Sequence, residues 1–332
     1  MRIEKKLAAL GLMAVIMNFA AQGGLDGIAD SVLPNMKQDK YMVNVTVNIP
    51  PTASPEIPEV SPPPEDCETS SEAVSEDNAA EVGIYETTIS GGLKISNETE
   101  YVIDISQYLS TPPDISLDPD EPQILIIHTH SSEAYTPAGL DKYVATDTNR
   151  TEDTDFNIIR VGDEMTKLLE DVGLHVIHDR GIYDYPSYTG SYSRSGAAVE
   201  QYLEQYPSIK IVIDMHRDAL GSGDAVYKTM AEEEGVCASQ VMILTGSDAS
   251  GLEHPYWREN LKLGLYLQNA VSIAHPTLMR PLDLVCQRYN QNLSTGMLIL
   301  EVGSSGNTLQ EALAGIRLFT EAAAPAILEL VE

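Results

Sequence analysis

Basic residues are scarce in this chain. Twenty Lys and Arg stand against 50 Asp and Glu, for a net charge of -30 over 332 residues. Phosphate binding needs clustered cations, so a nucleic-acid partner is excluded. An acidic balance of this size describes a solvated surface and prescribes no partner. Cysteine is scarce too. Cys67, Cys237 and Cys286 are too few and too scattered for a disulfide framework or a cysteine metal site. No GxSxG elbow is present, which removes the serine-hydrolase pattern. There is no internal repeat.

Long apolar runs are also missing. The longest opens the chain: Arg2, Lys5 and Lys6 precede residues 7–21, LAALGLMAVIMNFAA. Fifteen residues fall short of the roughly 20 that a membrane span needs. The pattern fits the hydrophobic region of a secretory signal, or a short uncleaved anchor, over residues 1–23. Either form sends the rest of the chain out of the cytoplasm. Residues 24–121 are rich in Pro, Ser and Glu. Such a stretch buries too little apolar surface to offset the entropy of ordering, and reads as an extended acidic linker. Two islands, 41–49 and 93–105, alternate apolar and polar residues and are expected to form short strands or to dock on the folded part.

What is present begins near Pro122. Residues 123–135, QILIIHTHSSEAY, are an apolar run that ends abruptly in imidazoles, hydroxyls and a carboxylate. Ile124 to Ile127 read as a buried strand. Residues 155–172 carry Phe156, Ile159, Met165, Leu168 and Leu169 mostly on one helical face, and Gly173 ends that helix. Further strands are expected at 174–178, 209–215, 240–245 and 297–302. Helices are expected at 191–206, 256–274 and 308–330, with a hairpin or irregular insertion at 220–238. This alternation predicts an α/β domain over 122–332, a mostly parallel central sheet with helices on both faces.

Three of the apolar strands end in residues suited to metal-assisted hydrolysis. The first delivers His128, His130 and Glu133, the third His216, Arg217 and Asp218, the last Glu301. Parallel strands bring these ends to one edge of the sheet, where open α/β sheets bind ligands. Two histidines and a carboxylate make a catalytic zinc shell with one position left for water. Glu301, after four apolar residues, suits the role of general base. His128 and His130 share a face if the strand continues through them, and need not if it does not. Singly, each histidine has a plain structural explanation; the coincidence of three strand ends raises the site above its parts. His178 also ends a strand and reads as structural or as support for a ligand. Residues 303–306, GSSG, read as a tight turn beside Glu301.

Four blocks in order resemble the stage II sporulation protein P family: HTHSSEAY at 128–135, DMHRDA at 214–219, TGSDASGLEHPYWREN at 245–260 and RYNQNLSTGMLILEVGSSGNTLQEA at 288–312. More distantly they are similar to zinc-dependent N-acetylmuramoyl-L-alanine amidases. The resemblance implies an amidase-like fold. It implies a membrane-anchored peptidoglycan hydrolase of endospore engulfment that cleaves the amide between glycan and stem peptide, with endopeptidase action on cross-links. Its partners would be the lytic transglycosylase stage II sporulation protein D and the membrane protein M. Zn2+ is the implied cofactor. By position His130 and His216 match the ligand histidines and Glu301 the catalytic glutamate. The ligand glutamate of amidases precedes the first helix, where this chain has Glu152 and Asp153; Glu133, inside the HTHSSE block, is preferred. Whether His128 or His130 faces the metal stays open. Arg217 is expected to bind a peptide carboxylate or the oxyanion, and Tyr289 and Asn290 to line the groove.

Overall fold

The computed structural model describes residues 83–332, apart from 223, 224 and 234. The expected anchor at 1–23, the island at 41–49 and Cys67 lie outside the described residues. Among the described residues no helix is long and apolar enough to cross a membrane.

The fold is α/β, with a seven-stranded central sheet. In sequence order its strands are β2 (Ile95–Asn97), β3 (Ile124–Ile127), β4 (Val176–His178), β5 (Ile211–Asp218), β9 (Val241–Thr245), β10 (Leu282–Leu284) and β11 (Met297–Ser304). The spatial order is β2-β10-β9-β11-β5-β3-β4. All neighbours run parallel except β9 and β11, which are antiparallel. The strands that deliver the candidate residues, β3, β5 and β11, therefore share one direction and end at one edge.

Side chains of a strand alternate between faces, and the two faces bury different cores. Ile124, Ile126, Ile211, Ile213, Met215, Leu298 and Leu300 point into the larger one. It also holds side chains of α2 (Ile158–Asp171), α4 (Trp257–Ala274) and α5 (Leu309–Leu328). Leu125, Ile127, Val212 and Met297 point the other way, onto Val199 of α3 (Ser191–Gln205). Helices thus cover both faces, as the alternating pattern predicts. α2 starts later than its apolar periodicity suggests. Asn157 caps it by accepting from the Ile159 N–H, and Gly173, at φ +94°, closes it.

The insertion at 220–238 is regular. β7 (Ala225–Glu233) and β8 (Val236–Ser239) form an antiparallel hairpin, joined by β6 (Gly221–Ser222) and by β1 (Gly83–Thr87) in a second sheet. Order extends ahead of Pro122. The second island supplies β2 to the sheet edge, and α1 (Ile105–Tyr108) follows it. Tyr101 stacks on Trp257 at 4.7 Å, and the Leu117 N–H donates to Leu330 O at 2.8 Å.

Candidate active site

β3 ends at Ile127 and the chain turns immediately. This separates His128 from His130. His128 continues the alternation into the α2 side and is fully buried. Its Nδ1 lies 3.0 Å from Met215 O and so carries the proton; Nε2 lies 2.8 Å from His178 Nε2. Burial, with the neighbouring His178, pushes its pKa down to about 3. Gly162 of α2 leaves the room: a Cβ there would stand 2.6 Å from His178 Nε2 and 2.7 Å from His128 Nε2. His128 is therefore turned away from the candidate ligands and committed to the core.

His130 sits in the turn. Its Nδ1 is 3.5 Å from Glu133 Oε1, and His216 Nδ1 is 3.6 Å from Glu133 Oε2. The two imidazoles stand nearly perpendicular, centroids 4.9 Å apart. One ligand atom from each of His130, Glu133 and His216 falls within 4.8 Å of the others. Zinc bonds of about 2.1 Å at tetrahedral angles place neighbouring ligand atoms roughly 3.4 Å apart. Separations of 3.5 and 3.6 Å, one to each oxygen of Glu133, are long for hydrogen bonds and compatible with a carboxylate and two imidazoles facing one ion. The donor set, two imidazoles and a carboxylate, also fits zinc. Glu152 and Asp153 are exposed and take no part.

The remaining residues of the HTHSSE block hold this geometry. Thr129 donates its N–H and hydroxyl to the two oxygens of buried Asp214, at 2.8 and 2.6 Å. Asp214 Oδ1 in turn lies 3.0 Å from His216 Nε2. The contact is at ion-pair distance, although its angle falls short of a hydrogen bond. A carboxylate behind a ligand histidine orients the ring and raises its basicity. Burial works against a charged His216, but Asp214 and Glu133 outweigh it and hold its pKa well above the usual imidazole value. Burial likewise works against the Glu133 carboxylate, which Arg217, His130 and His216 hold well below its usual range. Ser132 donates to Asp184 through both N–H and hydroxyl, and Arg150 bridges Asp184 to Glu133.

Glu301 joins the site from β11. It is the register partner of His216 on β5, so both side chains leave the sheet on the α3 face. Its Oε2 is buried and finds no hydrogen-bond partner among the described residues. Burial pushes its pKa up to about 8; His216 opposes this, and Asp218 and Glu133 add to it. The GSSG segment after it is not simply a tight turn. β11 runs on to Ser304 through an irregularity after Glu301, where Gly303 at φ +66° packs against Ser239. The turn follows at 305–306.

Arg217 needs a correction. Its Nε donates to Ala134 O at 2.9 Å, Nη2 to Asn149 O at 3.0 Å and Nη1 to Asp218 O at 3.3 Å. The guanidinium is spent on backbone carbonyls on the opposite side of β5 from His216. It clamps the loop that carries Glu133. Tyr289 and Asn290 do border the site, both in the left-handed region at φ 46° and 62°. Asn290 Nδ2 donates to Tyr192 O at 2.8 Å, and the rings of Tyr289 and Tyr192 are 5.3 Å apart. Asn290 and Tyr192 also line a cavity of about 220 Å³.

Sequence reasoning missed the aromatic wall. Tyr188 stacks on His130 at 4.6 Å, Tyr192 meets it edge-on at 5.4 Å, and the Arg150 guanidinium lies 5.0 Å from the Tyr188 ring centre. One signal was available: Tyr183, Tyr185, Tyr188 and Tyr192 crowd a short stretch of a chain with 16 tyrosines. Asp214 was hidden inside an apolar strand.

The stage II sporulation protein P family profile matches residues 35–324. The chain belongs to that family. Stage II sporulation protein P of Bacillus subtilis (strain 168) is 26% identical over 209 residues, covering 58% of this chain and 48% of that protein. The match thus spans about half the length of that relative. Solved structures similar to this chain include N-acetylmuramoyl-L-alanine amidase AmiC2 of Nostoc punctiforme, 12% identical over 62% of this chain and 96% of that one, TM-score 0.35. The CwlD amidase of Clostridioides difficile, in complex with the GerS lipoprotein, is 12% identical over 63% and 98%, TM-score 0.38.

Proposed function

We propose that this chain is a zinc-dependent peptidoglycan hydrolase that cleaves the amide between N-acetylmuramic acid and the stem peptide during endospore engulfment. The observation that carries the proposal is the convergence of His130, Glu133 and His216, with Glu301 in register beside His216. A zinc ion held by those three residues supplies Lewis acidity to the scissile carbonyl and to the attacking water. The chain's own part is positioning and proton transfer. Glu301 takes a proton from the water and returns it to the leaving nitrogen, one group serving as base and then acid. Its unpartnered Oε2 and raised pKa suit a group that must hold a proton between the two steps. Asp214 keeps the His216 ring in place, and the tyrosine wall shields one side of the site from water.

The proposal includes location and partners. The basic start and apolar stretch at 1–23 would anchor the chain, with residues 24–121 letting the domain reach the wall. Stage II sporulation proteins D and M would be its companions. The test is digestion of purified sacculi by the zinc-loaded protein, with the new termini identified by mass spectrometry. Free amino-terminal stem peptides are the expected product. Termini arising only within the peptides would make the chain an endopeptidase, and none at all would end the hydrolase proposal.

A further inference from the structure

The oxyanion role expected of Arg217 is not filled by that residue, whose guanidinium lies across β5 from His216. On the His216 side stands Tyr192, in the first turn of α3. Its ring meets His130 edge-on at 5.4 Å and lies within 13° of parallel to His216 at 6.5 Å, centroid to centroid. Its next neighbour is Tyr289, at 5.3 Å. Burial raises the pKa of Tyr289, and Glu301 is foremost among the charges that add to it. The two rings thus form an arc from the candidate ligand His130 to the candidate proton carrier Glu301, around the space that a scissile amide must enter.

The Tyr192 hydroxyl makes no hydrogen bond among the described residues, whereas the buried Tyr135 donates its hydroxyl to Val302 O at 2.9 Å. Burial pushes the pKa of Tyr192 well above the usual phenol value, and Asp214, Tyr289, Glu301 and Glu133 add to it. The ring is also held from behind. Asn290 Nδ2 donates to Tyr192 O at 2.8 Å, and Gly196, where a Cβ would stand 3.0 Å from that nitrogen, lets it approach. Tyr289 and Asn290 reach this position in left-handed backbone, at φ 46° and 62°. For a bulky residue such as Tyr289 that conformation is strained, and it persists where the surroundings enforce it, commonly at functional sites. Arg194, also on α3, donates to the carbonyls of Tyr183, Ser187 and Thr189 and so fixes the loop that leads into the helix. A donor held in place before the reaction needs no reorganisation during it.

We propose that Tyr192 is a further catalytic residue, whose hydroxyl donates a hydrogen bond to the carbonyl oxygen of the scissile amide as negative charge builds there. The inference rests on the proposed amidase reaction. When water adds to the scissile carbon, the electron pair of the carbonyl double bond passes to its oxygen. The Tyr192 hydroxyl bonds to that oxygen and keeps its own proton. Glu301 carries the proton of the water to the nitrogen. The pair on oxygen then re-forms the double bond as the carbon–nitrogen bond breaks and its electrons leave with the nitrogen. Tyr289 and Asn290 act through Tyr192, as the residues that position it.

The test uses Tyr192→Phe, which keeps the ring against His130, His216 and Tyr289 and removes only the hydroxyl. Zinc content and melting are expected to match the unsubstituted protein. With a soluble muropeptide and zinc-loaded protein, kcat is expected to fall about 10²-fold or more while KM changes little. Calorimetry supplies a readout without turnover. A muropeptide analogue with a tetrahedral phosphinate in place of the scissile amide is expected to bind Tyr192→Phe about tenfold or more weakly than the unsubstituted protein. The intact amide, measured in Glu301→Gln with and without Tyr192→Phe, is expected to bind nearly alike. An unchanged kcat overturns the role, and so does an equal change in affinity for phosphinate and amide. Loss of zinc or of stability without that difference between the two ligands would make Tyr192 a packing residue and overturn it as well. Failure of the unsubstituted protein to release stem peptides would overturn the amidase reaction and this role with it, whereas release that Tyr192→Phe leaves untouched would overturn the role alone.

Discussion

His216 and Glu301 face each other across two parallel strands, one of the three candidate metal ligands beside the candidate proton carrier. Only residues in direct register on neighbouring strands share both a face and a level. The division of labour follows. Replacing Glu301 by Gln removes the proton carrier and leaves the three ligands intact. Glu301→Gln is expected to keep one equivalent of zinc by elemental analysis while losing about 10²- to 10⁴-fold in sacculus cleavage. Cleavage near the unsubstituted rate would remove Glu301 from the chemistry.

The two histidines of the HxH segment should behave differently. His130→Ala loses a ligand and is expected to bind zinc poorly. His128→Ala leaves the ligands in place but empties a buried site bonded to Met215 O and His178. It is expected to retain metal and to lose about 2–4 kcal/mol of stability. Metal titration with thermal melts checks both, and a metal-free His128→Ala beside a metal-replete His130→Ala would reverse the assignment.

Gly162 gives a further check on the same pair. A glycine inside an exposed helix usually gains about 1 kcal/mol on replacement by Ala. Here the new Cβ meets both histidine Nε2 atoms below 3 Å. Gly162→Ala is expected to destabilise by about 1–3 kcal/mol, measured by urea unfolding. A more stable variant would show that the histidine pair is not packed this way.

Arg217 is expected to matter for folding. Arg217→Gln strands the carbonyls of Ala134 and Asn149, at a cost of about 1–3 kcal/mol. Melting should fall by several degrees. Whatever substrate selectivity the protein has should stay the same in the fraction that remains folded. A changed preference between carboxylate and carboxamide substrates would return Arg217 to the binding machinery.

Asp283 provides the pH dependence. Burial, with Glu98 close by, pushes its pKa up to about 6, and its Oδ1 is buried without a partner among the described residues. An acid whose folded pKa lies above its unfolded value favours the protonated folded form. Its effect on stability is therefore neutral below about pH 4, and the penalty grows between about pH 4 and 6 and levels off above that. Asp283→Asn is expected to raise stability at pH 7.5 by up to about 3 kcal/mol and to leave it nearly unchanged at pH 4. Equal effects at both pH values would refute this.

The amino-acid order alone determined the α/β alternation, because buried strands and amphipathic helices announce themselves through apolar period. It also marked His130, Glu133, His216 and Glu301, since polar residues at the ends of apolar runs must meet at one edge if the strands are parallel. It marked the island at 93–105 that supplies β2 but overlooked β1, a short strand that gains its stability from a partner on β7, far away in sequence. Tertiary structure alone decided between His128 and His130, because the strand stops at Ile127: His128 still points into the core, while the turn that follows carries His130 to the other side, beside Glu133 and His216. It alone showed that Arg217 holds the loop carrying Glu133, since which carbonyls a donor meets depends on what other segments bring within reach.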